Sequence, residues 1–247
     1  MRINRPDAMN ALTLGVADGI SEGLRRAVDD PEIRAVVIGA VGRAFCAGAD
    51  LKFVEESLQG ENEIDQIAFT QRLSGVFDEI EAAQIPVIGA VNGIALAGGL
   101  EMLLTCDLII AAESARIGDG HANYGLLPGG GSSVRLPRLI GPARAKYLLF
   151  TGELLPAREL EAQGLINAVV ADEALDAAVA ELVEKLAAKS PLGLARMKRL
   201  VNDGLEQPTA TAVRLEHALS DAHRHSHDME EGLAAFAAKR KPEFNGT

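Results

Sequence analysis

The stretch PVIGAVNGIALAGGLEMLLTCDLIIAA, residues 86–112, decides the fold. PVIGAV (86–91) and DLIIAA (107–112) are short β-branched runs, as expected of strands buried on both faces. Between them a small-residue turn leads into a helical segment from Gly98 to Leu104. The apolar run from Ile85 to Leu104 has the length of a bilayer span, but Pro86, Asn92, glycines and Glu101 interrupt it. Strand, turn, helix and strand is the reading that satisfies the backbone.

The same alternation extends upstream. Residues 13–29 place Leu14, Ile20, Leu24 and Val28 at helical spacing, with Pro31 as a stop, and AVVIGAV (35–41) follows as a strand. Residues 66–83 read as an amphipathic helix carrying Ile67, Leu73, Val76, Phe77 and Ile80. Downstream of Pro156 the character turns helical, over 159–163, 174–189, 192–205, 209–223 and 228–239. The pattern predicts an α/β class with parallel pairing. It divides into a core over residues 1–190 and a helical C-terminal region over 191–247.

The 247 residues suffice for one large domain and an appendage. Hydrophobic residues are 48% of the chain and aromatics only 4%, so the core must be aliphatic. The net charge of −11 opposes nucleic acid or an anionic membrane as a partner. A phosphorylated ligand would need a locally positive site. Cys46 and Cys106 lack disulfide-scaffold or metal-ligand spacing, and the opening MRINRPDAMN has no signal or transit pattern. The expected compartment is reducing and cytoplasmic.

Three strand-to-helix junctions are rich in small residues, the places where α/β sheets bind ligands. In RAFCAGADLK (43–52) the small residues let a ligand approach the backbone, and Asp50 is placed to cap a helix; a simple turn with an N-cap is the plainer reading. In the second, Gly98 and Gly99 open a helix whose free N–H groups can hold an oxyanion. Glu101 follows in the first turn, where an acid ordinarily just compensates the helix dipole, although its flanks Leu100, Met102 and Leu103 are apolar. The third, IGDGHANYGLLPGGGSS (117–133), lacks the spacing of a P-loop or a nucleophile elbow. It carries His121 near Asp119, Asn123 and Tyr124, and a lone loop histidine is commonly a surface residue.

NRPDAMNAL, RAFCAGADLK, AVNGIALAGGLEMLLTCDLIIAAESARIG, LLPGGGSSVRLPRLIG and EGLAAFAAKRKPEF, in this order, resemble the enoyl-CoA hydratase/isomerase (crotonase) family over almost the whole chain. The resemblance implies a crotonase-like spiral of ββα units with a helical C-terminal trimerisation region, and a homotrimer or hexamer. It implies an acyl-CoA thioester as partner, with no separate cofactor because coenzyme A is part of the substrate. Matched by motif, the oxyanion donors are the amides of Ala49 and Gly98. Ala47, Asp50, Leu51 and Lys52 match the CoA-binding segment, and Phe236 and Lys239 match positions that reach a neighbouring subunit's CoA. Lys52, Lys239, Arg240 and Lys241 would supply the positive field, although the terminal cluster also reads as a solvated helix end. The polar segment 59–65 would lie near the acyl tunnel.

Hydratases of the family hold one water with two glutamates. Glu101 matches the first. The second belongs to an F-G-x-x-E pattern whose last position, in IGDGH, is His121. The resemblance therefore implies hydration of a trans-2-enoyl-CoA through Glu101 and His121, an imidazole being a competent acid or base near neutrality. A divergent isomerase, decarboxylase or hydrolase on a CoA thioester, or a non-catalytic acyl-CoA binder, remains open at this point. Asp7 stands where relatives often carry a basic residue, and only four residues precede Arg5 where relatives have a strand. His217, His223, His225 and His227 read as a solvated connection and not as a metal site, because neighbours two apart on a helix diverge.

Overall fold

A computed structural model describes residues 1–60 and 65–247. Two sheets run through it, and the chain alternates between them. Strands β1 (Arg2–Ile3), β2 (Val36–Ala40), β4 (Val87–Val91), β6 (Leu108–Ala112) and β9 (Ala168–Val170) lie in that order, every pair parallel. The second sheet orders β3 (Ala44–Cys46), β5 (Ile94–Leu96), β7 (Arg116–Gly118) and β8 (Leu155–Pro156), with only β7–β8 antiparallel. Each long strand of the first sheet is thus followed at once by a short strand of the second. The predicted strands at 35–41, 86–91 and 107–112 are β2, β4 and β6. All of β4 is buried, as its unbroken apolar run requires.

Helices cover these sheets. α1 (Leu14–Asp29) is capped by Thr13, whose hydroxyl accepts the Val16 amide at 3.3 Å. α2 (Leu51–Leu58) follows the first junction, and α3 (Gln66–Ala82) is capped by Asp65. α1 buries Ala17, Ile20, Leu24 and Ala27. Val28, expected inside, is exposed, because it is rotated ~100° past Ala27 around the helix. Ile67 is likewise exposed, since α3 turns Phe69, Leu73, Val76, Phe77 and Ile80 to the core. α4 (Gly98–Leu103) is short and wholly buried. α5 (Ser132–Ile140) and α6 (Pro142–Thr151) pack on one another after the third junction.

α7 (Ala157–Ala162) leads into β9, and α8 (Leu175–Ala187) lays Leu175 and Val179 against Ala90, Ile110 and Ala112 of the first sheet. The C-terminal helices α9 (Pro191–Leu205), α10 (Thr209–His223) and α11 (His227–Ala238) follow. α9 is fastened to the core by Lys198, which donates to Ile80 O at 3.1 Å and pairs with Asp107 at 2.8 Å. Asp228, almost fully buried, accepts the Ser190 hydroxyl and the Asn245 and Gly246 amides, tying α11 to the start of α9 and to the chain end. No helix among the described residues is long and apolar enough to cross a membrane. Of the polar segment 59–65, residues 61–64 lie outside the described residues.

Candidate active site

The first two junctions meet face to face. Leu12 brackets Ala49, donating to Gly48 O at 2.8 Å and accepting from Asp50 N at 3.0 Å. In such a parallel bridge the Ala49 amide itself points away from Leu12. Opposite it, Ala97 follows the end of β5 and is held at φ 50°, ψ −118°, a conformation L-residues adopt only under constraint. That turn makes Gly98 the first residue of α4, with an amide that no helical carbonyl can reach. A Cβ placed on Gly98 would stand 3.6 Å from the Ala49 nitrogen, and one on Gly99 would strike Cys46 O at 2.2 Å. The glycines are what let the two loops close to this distance. Two adjacent amides without backbone partners among the described residues are an arrangement able to hold negative charge on one oxygen.

Glu101 lies one turn further along α4, with 4% of its surface exposed. Its Oε1 accepts the Gly130 amide at 2.7 Å and the Ser132 amide at 3.2 Å. The carboxylate is therefore committed to the third junction and does not serve its own helix end. Burial pushes its pKa up; the Ser132 amide, the His121 charge and the Gly130 amide oppose that only in part. Arg135 secures the loop from behind, donating to Gly130 O at 3.0 Å while its other nitrogens bind Glu81 and Asp78. Gly130 itself has no room for a side chain, since a Cβ there would lie 2.7 Å from Glu101 Oε2.

His121 opens a 3-10 turn (His121–Tyr124), and only 13% of its side chain is exposed, so it is not the surface residue a loop histidine usually is. Its Nδ1 lies 2.9 Å from Asp119 Oδ1. Burial opposes charge on the ring, but the hydrogen bond and charge of Asp119, together with the charge of Glu101, outweigh it and raise the pKa. Ala97 N donates to Gly118 O at 3.2 Å, so the pairing of β5 with β7 sets the amide cradle and the histidine turn in one sheet edge. The cysteines take no part: burial pushes both thiols up to about 12.

A sequence model described as enoyl-CoA hydratase/isomerase matches residues 1–247. The chain belongs to the enoyl-CoA hydratase/isomerase family. It is 37% identical to the crotonyl-CoA hydratase of Syntrophomonas wolfei, covering 98% of this chain and 92% of that protein. It is 38% identical to the mitochondrial enoyl-CoA hydratase domain-containing protein 2 of Mus musculus, over 99% of this chain and 83% of the other. The crystal structure of the enoyl-CoA hydratase from Bacillus anthracis superposes with a TM-score of 0.94 at 36% identity, covering 100% of this chain and 94% of that one.

Gly98 meets Ala49, and the charges of Glu101 and His121 act on each other, so the three junctions converge; Ala47 and residues 50–52 flank Ala49 in the first of them. The details of that segment differ from expectation. Asp50 stands at the N-cap of α2 but does not cap it; its carboxylate pairs with Arg5 at 3.0 Å. Lys52 faces Glu56 at 3.7 Å, and Arg240 is claimed by Glu231 at 2.5 Å, so two of the four expected cations are partly neutralised by neighbours. Leu51 is exposed, as is Phe236 on α11, while Lys239 ends that helix in a left-handed conformation at φ 55°. Among the described residues, no hydrogen bond or ion pair joins Phe236 or Lys239 to the Glu101 site. Among the histidines, His223 Nδ1 sits 2.8 Å from Arg196 Nη1, and no group of three metal-binding side chains gathers among the described residues.

Sequence reasoning passed over three supporting residues. Asn10, fully buried, accepts the Arg5 amide at 2.8 Å and donates to Val41 O and Ala44 O at 2.9 and 2.7 Å. Its place in NRPDAMNAL was the available signal. Arg135 and Ser132 lie in the third junction, and nothing in local spacing points them at Glu101.

Proposed function

We propose that this protein hydrates a trans-2-enoyl-CoA thioester to the 3-hydroxyacyl-CoA, with Glu101 and His121 sharing the water and the proton. In this reading the thioester oxygen sits between the Ala49 and Gly98 amides. The Glu101 carboxylate takes a proton from water as the water oxygen bonds to the β-carbon. The electron pair moves onto the thioester oxygen, where fixed donors stabilise it; in comparable holes one donor contributes ~2.7–4 kcal/mol. His121, protonated, then gives its proton to the α-carbon, and a following water returns the proton of Glu101 to His121. The atoms of one water are added and both side chains are restored.

The observation that carries the reading is the setting of Glu101. Among the described residues, both hydrogen bonds it accepts reach Oε1, which leaves Oε2 for the water. The raised pKa of a buried carboxylate makes it a stronger base than a solvated one. Ala47, Asp50, Leu51 and Lys52 are assigned to the CoA moiety by their continuity with Ala49. Residues 191–247 are assigned to assembly as a trimer or hexamer, supported by the exposed Met197, Val201 and Leu205 along α9. Phe236 and Lys239 are then offered to a neighbouring subunit's ligand.

The test is a set of trans-2-enoyl-CoA thioesters of increasing length. Hydration removes the conjugated-enoyl absorbance and yields a product heavier by one water. Thioester binding without turnover at any chain length, or a product of unchanged or lower mass, overturns it in favour of a binder, an isomerase or a decarboxylase.

A further inference from the structure

One carboxylate beside the site has no part in the mechanism above. Asp119 is fully buried directly after β7, a position where an acid needs a reason to remain. Its Oδ1 faces His121 Nδ1 at 2.9 Å and also accepts the His121 backbone amide at 3.3 Å. Its Oδ2 is buried without a hydrogen-bond partner among the described residues. Among the described residues, the hydrogen bonds on this carboxylate are thus directed wholly at one residue. The turn between them is equally constrained: Gly120 is at φ +70°, and a Cβ there would meet Leu96 Cδ1 at 2.5 Å.

We propose that Asp119 is a positioning residue for hydration, fixing His121 in the tautomer and orientation that leave Nε2 as the nitrogen exchanging the proton at the acyl α-carbon. This rests on the reading that His121 is the proton donor. An ionised carboxylate only accepts hydrogen bonds, so the ring nitrogen facing it carries the hydrogen. The neutral ring left after proton delivery is therefore the Nδ1–H form, with Nε2 bare and ready to take a proton again. Without Asp119 an imidazole favours neither nitrogen strongly and can rotate, so only a fraction of molecules would present the working geometry. The backbone bond from the same Oδ1 holds the main chain of His121 in register with its ring. The β5–β7 pairing extends that register to the amide cradle.

The discriminating readout is the tautomer itself. In protein carrying 15N-labelled histidine, the neutral His121 ring, identified by comparison with the His121→Gln spectrum, is expected to bear hydrogen on Nδ1. Hydrogen on Nε2 would overturn the proposal without any variant at Asp119. In kinetics, Asp119→Asn is expected to lower kcat by ~10²–10⁴ while KM stays within about twofold, because the amide can present the wrong hydrogen-bond partner to Nδ1. In a His121→Gln background the same substitution should change kcat by less than about twofold, since a residue acting through another has nothing left to act on. Additive losses in the two backgrounds, or an unchanged kcat in Asp119→Asn alone, would show a structural role and sink the proposal. Full turnover by His121→Gln is a separate result: it removes the reading on which the proposal rests.

Discussion

The Gly130 amide lies 2.7 Å from Glu101 Oε1, joining the third junction to the second across the site. A carboxamide oxygen accepts the same hydrogen bond, so Glu101→Gln should leave the loop in place while removing the base. We expect unchanged affinity for a saturated acyl-CoA, a melting temperature close to that of the parent, and hydration slower by ~10²–10⁴. Steady-state kinetics and calorimetry check this. A variant that loses binding and turnover together would place Glu101 in the architecture of the site instead of its chemistry.

The pH profile follows from opposite requirements on the two side chains. In the proposed mechanism, hydration needs Glu101 ionised and His121 protonated. Glu101 is raised above its ordinary 4.5 by burial, and His121 is raised above its ordinary 6.5 by Asp119 and Glu101 acting against burial. The acid limb of kcat/KM should therefore lie above the free glutamate value and the alkaline limb above the free histidine value. Stability carries the same sign. A histidine whose pKa is raised by folding contributes stability fully below 6.5 and loses it as pH climbs through the folded value. Denaturation of the parent and of His121→Gln across that window should converge at high pH. A difference that instead widened with pH would contradict the pairing of His121 with Asp119.

How much of this was legible in the sequence depends on range. The faces of α1 and α3 and the runs of β2, β4 and β6 are written in local periodicity. So are Gly98 and Glu101, because a glycine pair followed by an acid announces a helix start. The strands β3, β5 and β7 span three residues each, too few for any period to register. α5 and α6 were hidden by Pro137 and Pro142, which ordinarily punctuate helices. The cap expected of the Asp50 side chain is not made, because its partner, Arg5, is 45 residues away and outside any local signal. Arg135 to Glu81, at 54 residues, and Lys198 to Asp107, at 91, are beyond any local signal.

Asn10 exposes the structural role hidden in the NRPDAMNAL motif. Its side chain satisfies three backbone groups, one on its own segment and two on the approach to the first junction. Asn10→Ala strands all three, and each buried unpaired group costs ~1–3 kcal/mol. A residue at φ 57° also suits asparagine better than alanine. We expect the largest loss of stability among the single substitutions considered for this region, measured by urea unfolding. A change of less than about 1 kcal/mol would mean that water replaces the amide without penalty.

Lys198 links the C-terminal helices to the site by a chain of contacts. Its ammonium pairs with Asp107 at 2.8 Å and donates to Ile80 O at 3.1 Å, and only 9% of its side chain is exposed. Four residues on, Asn202 donates to Glu81 O at 3.2 Å, and the Glu81 carboxylate binds Arg135, which holds Gly130 against Glu101. Burial raises the pKa of Asp107, and Lys198 is the charge that chiefly opposes this. Lys198→Met removes that charge and leaves the carboxylate, among the described residues, with the Val87 amide at 2.7 Å as its remaining hydrogen-bond partner. Breaking one side of a buried pair costs ~3–5 kcal/mol, and the lower figure applies here because Asp107 keeps that amide and is partly solvated. For a domain of this size the melting temperature should fall by roughly 6–12 °C. The deficit should shrink as pH falls, because a carboxylate raised by folding takes up its proton and no longer needs the cation. Adding Asp107→Asn should recover part of the loss at neutral pH, since the amide oxygen still accepts from Val87. A deficit independent of pH and unrelieved by the second substitution would assign Lys198 to packing by its aliphatic stem, and the charge pairing between α9 and the core would then contribute little.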